Sequence, residues 1–154
     1  MIIILDYELG NPRSIQNMLT KLGYSSIISN DIIELENASF LIIPGVGNFK
    51  KGMSNLKRLN LIDTLNNQVL VNKVPTLGIC LGMQLMTDQS DEGSVKGLGW
   101  INAEVRKFSF DNQRIKVPHM GWNEVSFRED FSLLFPEFPP RFYFVHSYYV
   151  YCKD

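Results

Sequence analysis

Cysteine and histidine are scarce in this 154-residue sequence, which contains two of each. Two thiols, Cys80 and Cys152, cannot build the disulfide framework that stabilises small secreted domains, so we expect a reducing, cytoplasmic environment. No CxxC pair and no His/Cys cluster has the spacing of zinc ligands, and we expect neither a metal nor another cofactor.

Long apolar runs and an excess of charge of one sign are also missing. The longest apolar stretches, such as residues 1–5 and 40–43, are far shorter than the roughly 20 residues that span a bilayer, so we expect no membrane partner. The formal net charge is -1, and no basic run is interleaved with aromatic residues, so we expect no nucleic-acid partner.

The composition is that of a globular domain. Hydrophobic residues make up 45% of the chain and charged residues 20%, which is the ordinary balance for a protein with a packed core. A chain of this length can bury one such core, and we expect residues 1–154 to form a single domain.

Strand and helix patterns alternate through the first half of the chain. Apolar runs predict strands over residues 2–5, 25–29, 40–43 and 75–79. Asn11 and Pro12 are typical of a helix start, and they are followed by an apolar helix face: Ile15, Met18, Leu19 and Leu22. A longer helix is predicted over residues 53–71, with these side chains inward: Leu56, Leu59, Ile62, Leu65 and Val69.

This alternation predicts an α/β fold with a doubly wound, mostly parallel sheet. After Asp88, glycines and aromatic residues become frequent. Strands without long helices between them are predicted there, over residues 100–108, 115–117, 123–127 and 142–151. We therefore expect an antiparallel extension of the sheet in the C-terminal half.

The most informative segment is GICLG, residues 78–82, which lies between a predicted strand and a predicted helix. A nucleophile at such a junction, flanked by glycines two positions away, is the pattern of a nucleophile elbow. The N–H groups at the start of the helix would favour the Cys80 thiolate, which is the reactive form. The alternative is an inert buried cysteine in a glycine-rich turn.

Three polar or glycine-rich segments follow predicted strands and should meet at one edge of the sheet. They are Asp6-Tyr7, the stretch from Pro44 to Gly47, and Cys80. Ligands bind at the carboxyl ends of parallel strands. The backbone of Gly45, Val46 and Gly47 could therefore supply N–H donors to an oxyanion, although an ordinary strand-ending turn is the simpler alternative.

A thiolate nucleophile normally works with a base, and His119 and His146 are the histidines available. His146 is the better candidate from the sequence alone, with a hydrogen-bonded strand histidine as the plainer alternative. Gln84 lies one helical turn after Cys80, on the same side of the predicted helix, where its amide could bind the polar end of a small substrate.

Four motifs together resemble the class I (triad) glutamine amidotransferases. They are PGVG at 44–47, GICLGMQ at 78–84, PHMGWN at 118–123 and YFVHSY at 143–148. With Asp6-Tyr7 and Gly10-Asn11 near the start, they narrow the resemblance to the glutaminase subunits of imidazole glycerol phosphate synthases, from histidine biosynthesis. The similarity covers essentially the whole chain, in the same order, and it implies a flavodoxin-like fold.

The resemblance implies that Cys80 attacks the carboxamide of glutamine, forming a thioester and releasing ammonia. It implies that the backbone around Gly45, Val46 and Gly47, with the N–H of Leu81, holds the oxyanion. Gln84 and backbone near Ser147 and Tyr148 would hold the amino-acid end of glutamine. Ammonia would pass to a cyclase subunit, a (β/α)8 barrel that forms a heterodimer with this chain through these residues: Asn11, Met120, Trp122 and Asn123.

One departure from the family is large. The family's base and its orienting acid come from a His-x-Glu motif that follows the YFVHSY strand, and no such motif occurs in these 154 residues. We therefore expect a truncated form with little or no turnover by itself. Smaller departures, at Glu8-Leu9, Pro12 and Trp100, leave open a paralogue that supplies ammonia for surface-sugar biosynthesis.

Two further alternatives follow from the missing motif. The chain could be a non-catalytic, partner-binding domain, or another cysteine hydrolase in which His146 is the base.

Overall fold

A computed structural model describes residues 1–111, 115–126 and 140–153. The strands are β1 (Ile2–Leu5), β2 (Ser26–Ser29), β3 (Phe40–Ile43), β4 (Thr76–Gly78), β5 (Thr87–Ser90), β6 (Val95–Lys96), β7 (Ile101–Lys107), β8 (His119–Glu124), β9 (Arg141–His146) and β10 (Tyr148–Cys152). The helices are α1 (Pro12–Lys21), α2 (Ile32–Glu36), α3 (Phe49–Arg58), α4 (Ile62–Asn66) and α5 (Leu81–Leu85), with a π-helical segment over Asn67–Val71 after α4.

The predicted parallel sheet is confirmed. Its strands pair in the order β2-β1-β3-β4, and β1 pairs in parallel with both β2 and β3, as β3 does with β4. β1 and β3 are buried over most of their length, which explains why their sequences are continuously apolar rather than alternating. Because β1, β3 and β4 are neighbours running in one direction, their carboxyl ends lie side by side.

Helix α1 begins as the sequence predicts. The side chain of Asn11 accepts a hydrogen bond from the Ser14 N–H (3.2 Å), and Pro12 occupies the first helical position. The apolar face forms but is only partly covered, since no residue of α1 is buried and Met18 and Leu22 are each more than half exposed.

The prediction of one long helix over residues 53–71 is wrong. Helix α3 begins earlier, at Phe49, and ends at Arg58, and Asn60 adopts a left-handed conformation with φ 56° that interrupts the helical backbone. Asparagine tolerates this conformation better than most residues, which explains why the break falls there. Leu56 and Leu65 are fully buried on the two sides of the break.

The second half of the chain forms a mixed extension instead of a purely antiparallel one. Its strands pair in the order β10-β7-β5-β6, with β5 parallel to β7 and antiparallel to β6. Strand β5 was not predicted, because its sequence TDQS is polar although its two ends are buried. Strands β8 and β9 form a separate antiparallel ribbon.

Three strand predictions in this half need correction. Residues 115–117 form no strand, because they precede Pro118, which has no N–H to donate to a sheet, and pairing begins at His119. The strand predicted over 123–127 is the end of β8, which stops at Glu124; residue 127 lies outside the described residues. The run 142–151 is divided at Ser147 into β9 and β10, which join different sheets.

The described chain divides into two compact units. Unit 1 comprises Met1–Arg106 with Val150–Asp154, and unit 2 comprises Lys107–Tyr149. A single domain over residues 1–154 stays a prediction. Within the described ranges, none of the helices combines the length and the apolar character that crossing a lipid bilayer requires.

Candidate active site

The carboxyl ends of β1, β3 and β4 place three predicted segments together in unit 1. The Tyr7 hydroxyl, after β1, donates a hydrogen bond to the Pro44 carbonyl, after β3 (2.6 Å). The Ile79 N–H, after β4, donates to the Ile43 carbonyl at the end of β3 (2.9 Å). The expected meeting of these segments at one sheet edge is therefore confirmed.

Cys80 has the geometry of a nucleophile elbow. It lies between β4 and α5 with φ 53° and ψ -113°, in a half of the backbone map that side chains with a β-carbon rarely occupy. Such a conformation costs on the order of 1–3 kcal/mol, and strain of this kind is concentrated at functional sites. The Cys80 side chain is a free, exposed thiol, so the alternative of an inert buried cysteine is wrong.

The two flanking glycines are required by close backbone contacts. A β-carbon at Gly78 would lie 2.6 Å from the backbone of Met83, across the turn. A β-carbon at Gly82 would lie 1.8 Å from the Ile43 carbonyl oxygen, because the first turn of α5 packs directly on the end of β3. The glycine spacing in GICLG thus follows from the sharpness of the elbow.

The Gly45 to Gly47 segment lies against this elbow. A β-carbon at Gly45 would meet the Gly82 nitrogen at 2.6 Å and the Leu81 β-carbon at 2.7 Å. Gly45 is buried, whereas Val46 and Gly47 are exposed, and Gly47 has φ 126°. The segment therefore brings bare backbone up to the residues that follow Cys80, which is the placement that an oxyanion site needs.

Tyr7 contributes a contact that the sequence analysis did not foresee. Its side chain is fully buried, and its hydroxyl lies beside Gly45 as well as bonding Pro44. Burial raises the pKa of Tyr7 far above its usual value, and the negative charge that Cys80 carries when ionised raises that pKa further. Tyr7 therefore keeps its proton and remains a hydrogen-bond donor.

The other predicted substrate residues are located in both units. Leu81, whose N–H is the second proposed oxyanion donor, directly follows Cys80 and is buried. Gln84 lies one helical turn later and is half-buried, and its backbone N–H donates to the Cys80 carbonyl (3.1 Å). Ser147 and Tyr148 belong to unit 2, where the Ser147 carbonyl accepts from the Phe108 N–H (3.0 Å). Their roles in binding glutamine stay predictions.

The two histidines face each other across the β8–β9 ribbon in unit 2. His146 Nδ1 lies 2.8 Å from the Tyr148 carbonyl, His119 Nδ1 lies 3.0 Å from His146 Nε2, and Asn123 Nδ2 lies 2.7 Å from His119 Nε2. A carbonyl only accepts, so His146 carries its proton on Nδ1 and its Nε2 accepts from His119. His119 Nε2 in turn accepts from Asn123. Both ring nitrogens of His146 are thus engaged, as expected for a hydrogen-bonded strand histidine.

Metal-ligating side chains do not cluster in the described parts of the chain. Within residues 1–111, 115–126 and 140–153, no three or more His, Cys, Asp or Glu side chains come together in a way that could hold a metal ion.

Sequence and structure comparisons agree with this geometry. The family model "Glutamine amidotransferase class-I" matches residues 3–153. "Imidazole glycerol phosphate synthase subunit HisH 2" of Methanococcus maripaludis is 54% identical over 100% of this chain and 76% of its own length. The subunits of the same synthase named HisH in Leptospira interrogans and HisH 1 in Campylobacter jejuni are 44% and 47% identical, again over 100% of this chain and 77% of their own lengths.

A solved structure supports the fold. It is described as "Crystal structure of glutamine amidotransferase", and it aligns with a TM-score of 0.62 at 20% identity over 73% of this chain and 60% of that one. The family itself is shown by the family model, which matches residues 3–153, and by the relatives at 44–54% identity over the whole chain. The chain is a member of the class I glutamine amidotransferase family.

Proposed function

We propose that this chain is a glutaminase subunit of the imidazole glycerol phosphate synthase type, which releases ammonia from glutamine for a cyclase subunit. The observation that carries the proposal is the exposed Cys80 thiol at a strained elbow, whose next two residues, Leu81 and Gly82, pack against the bare backbone of Gly45. Relatives at 44–54% identity that carry this subunit name support the choice of glutamine as substrate.

In the proposed reaction, the Cys80 thiolate attacks the carboxamide carbon of glutamine. The C–S bond forms, and the π pair of the carbonyl moves onto oxygen, where N–H groups near Gly47 and Leu81 would stabilise the charge. The C–N bond then breaks, and the nitrogen takes a proton and leaves as ammonia. Water cleaves the thioester, yielding glutamate and the free thiol.

Covalent labelling tests this proposal directly. The chloromethyl ketone analogue of glutamine should alkylate Cys80, forming a C–S bond and releasing chloride, and mass spectrometry would locate the adduct. Excess L-glutamine should protect the thiol, and D-glutamine should not. Labelling of Cys80 that L-glutamine does not slow would contradict a glutamine site and favour the non-catalytic alternative.

An exposed apolar face on unit 2 supports a partner subunit. The register pairs Met120 with Val145 and Trp122 with Tyr143, so these side chains share one face of the β8–β9 ribbon. Each residue is more than half exposed, and the Trp122 and Tyr143 rings pack edge to face at 5.6 Å. Contiguous apolar surface of this kind is typical of an interface. We propose that it contacts a cyclase subunit of the (β/α)8-barrel type.

The two asparagines predicted at the partner surface have other contacts. Asn123 alternates onto the opposite face of the ribbon, where it donates to His119, and Asn11 caps α1 in unit 1. The proposed contact is therefore centred on Met120 and Trp122.

Replacing Trp122 with alanine should weaken binding of the cyclase subunit encoded in the same genome. A central tryptophan at an interface commonly contributes about 2 kcal/mol, so the dissociation constant should rise roughly thirtyfold. Isothermal titration calorimetry would measure it, with Tyr24→Ala as the control because Tyr24 is a similarly exposed aromatic residue in unit 1. Equal weakening by both variants would argue against this face.

Two of the departures on which the surface-sugar alternative rests, Glu8 and Trp100, have polar partners nearby. Glu8 forms an ion pair with Arg58, and the Trp100 Nε1–H donates to Asn66 Oδ1 (2.7 Å). These departures from the family pattern therefore have local structural contacts within unit 1. Binding of the cyclase subunit, measured as above, separates the two functions.

A cysteine hydrolase with His146 as its base makes a different prediction. Because both His146 nitrogens are already hydrogen-bonded, we expect His146→Ala to retain part of any glutaminase activity of the chain bound to its cyclase subunit. Ammonia release would be compared with that of Cys80→Ala. A His146→Ala variant as inactive as Cys80→Ala, at unchanged thermal stability, would support the hydrolase alternative.

A further inference from the structure

Tyr7 occupies an unusual position between the protein core and the segment beside Cys80. Its backbone carbonyl accepts from Asn55 Nδ2 of α3 (2.9 Å), and its hydroxyl donates to Pro44. Both Tyr7 and Asn55 are buried. Tyr7 thus connects α3, through the end of β1, to the first residue after β3.

The hydrogen bond from Tyr7 to the Pro44 carbonyl fixes the orientation of a whole peptide group. The Pro44 carbonyl and the Gly45 N–H belong to one planar trans peptide and point in opposite directions. Holding the carbonyl against Tyr7 therefore sets the direction of the Gly45 N–H. Gly45 itself is closely confined, since a β-carbon there would lie 2.6 Å from both the Tyr7 hydroxyl and the Gly82 nitrogen.

The other end of the segment is also anchored. Asn48 is the N-cap of α3, and its side chain accepts from the Lys51 N–H (3.1 Å). Between these anchors, Val46 is exposed and Gly47 has φ 126°. A β-carbon at Gly47 would have a Leu9 methyl, at 3.8 Å, as its nearest contact. Val46 and Gly47 are thus the most loosely packed part of the segment.

The buried side chain of Asn55 is consistent with a fixed position for Tyr7. Among the described residues, Asn55 Oδ1 is buried without a hydrogen-bond partner. An unpaired buried carbonyl destabilises a protein, so an asparagine here needs a compensating contact. That contact is its N–H group on the Tyr7 carbonyl, which orders the residue that bonds Pro44.

We propose that Tyr7 is a positioning residue for glutamine hydrolysis, holding the Pro44–Gly45 peptide in place where this backbone packs against the residues that follow Cys80. The effect of Tyr7 on glutamine hydrolysis rests on the proposed glutaminase function. The effect of its hydrogen bond on the Pro44–Gly45 peptide does not depend on the substrate. Tyr7 does not touch the reacting atoms and acts through the backbone that would receive the oxyanion.

The test uses Tyr7→Phe, which keeps the buried ring and removes only the hydroxyl, with Tyr24→Phe as the matched change at an exposed tyrosine. The first measurement is the heteronuclear 1H–15N NOE of the Gly45 amide. We expect it to fall in Tyr7→Phe, as nanosecond motion spreads into Gly45, and to stay unchanged in Tyr24→Phe. A Gly45 amide as ordered as in the parent chain would overturn the proposal.

The second measurement compares two alkylating reagents at Cys80. Iodoacetamide reports the thiolate alone, whereas the chloromethyl ketone analogue of glutamine also needs a positioned oxyanion site. In Tyr7→Phe the rate with the ketone should fall about tenfold, the typical effect of one buried hydrogen bond, while the iodoacetamide rate stays within about twofold. Alkylation of the exposed Cys152 provides an internal reference for the concentration and reactivity of each reagent.

The outcomes separate the two proposals. A parallel fall of both Cys80 rates would mean a general structural effect and would overturn the positioning role, as would no change in either. If the chloromethyl ketone alkylates Cys80 of the parent chain no faster than iodoacetamide does, that result would count against the glutaminase function. The heteronuclear NOE of the Gly45 amide would then test the role of Tyr7 by itself.

Discussion

Cys80→Ala should eliminate covalent labelling by the chloromethyl ketone analogue of glutamine and all glutaminase activity of the chain bound to its cyclase subunit. The loss of labelling should be complete, because alanine offers no nucleophile, and any ammonia release should fall to background because the reaction then has no thioester route. The size of the second loss is set by the activity that a sequence without the His-x-Glu motif retains, because the members of a catalytic unit are not additive. Alanine is small enough for the strained Cys80 position, so the fold should be retained. Mass spectrometry and an ammonia-release assay would measure the two effects.

Cys152→Ala is the matched control, since Cys152 is also a free, exposed thiol. It lies in β10, away from the elbow in sequence, and its loss should leave both labelling at Cys80 and ammonia release unchanged. Glutamine hydrolysis that persists in Cys80→Ala, or that disappears in Cys152→Ala, would show that the nucleophile has been assigned to the wrong residue.

Gly82→Ala should destabilise the protein by about 3 kcal/mol or more, a large part of the roughly 5–15 kcal/mol that stabilises a typical domain. The added β-carbon would lie 1.8 Å from the Ile43 carbonyl oxygen, and a backbone atom in a central strand cannot move aside as a flexible side chain can. The elbow and β3 would have to separate. Urea denaturation followed by circular dichroism would measure the free energy of unfolding.

Gly52→Ala gives the comparison, because Gly52 is also a buried helical glycine. Its added β-carbon would meet Leu85 methyl groups at 3.1 Å and a Leu81 methyl group at 3.6 Å, and these side-chain ends can shift. Alanine is also the better helix former by about 1 kcal/mol, which offsets the tighter contact. We expect Gly52→Ala to remain within about 1 kcal/mol of the parent chain, and equal losses in the two variants would contradict the backbone clash at Gly82.

The elements that the sequence predicted well depend on short-range signals. Strands β1 to β4 are short runs rich in apolar or β-branched residues, and the start of α1 follows from adjacent Asn11 and Pro12. The elbow follows from GICLG, because glycines two residues on either side of Cys80 reflect contacts made within the turn and with the strand beside it. Such signals fit inside a window of a few residues, so one sequence is enough to read them.

The structural features that the sequence did not predict correctly lack a sufficient short-range signal. A helical pattern over residues 53–71 was apolar at the correct spacing, yet a left-handed Asn60 divides it. Polar β5 became a strand because its neighbours β6 and β7 pair with it. The contact between the two histidines has no local signal, because it depends on β8 and β9 pairing in the register that brings His119 opposite His146.

The sequence by itself therefore determined the α/β class, the parallel sheet and the position of the elbow that carries the proposed nucleophile, since each is encoded in local patterning. The tertiary structure decided what surrounds the thiol. The contact of Tyr7 with Pro44 joins residues 37 positions apart, and it exists only because β1 and β3 are neighbours in the sheet. Contacts of that range depend on strand order, and strand order is set by the packing of the whole chain and not by any local pattern.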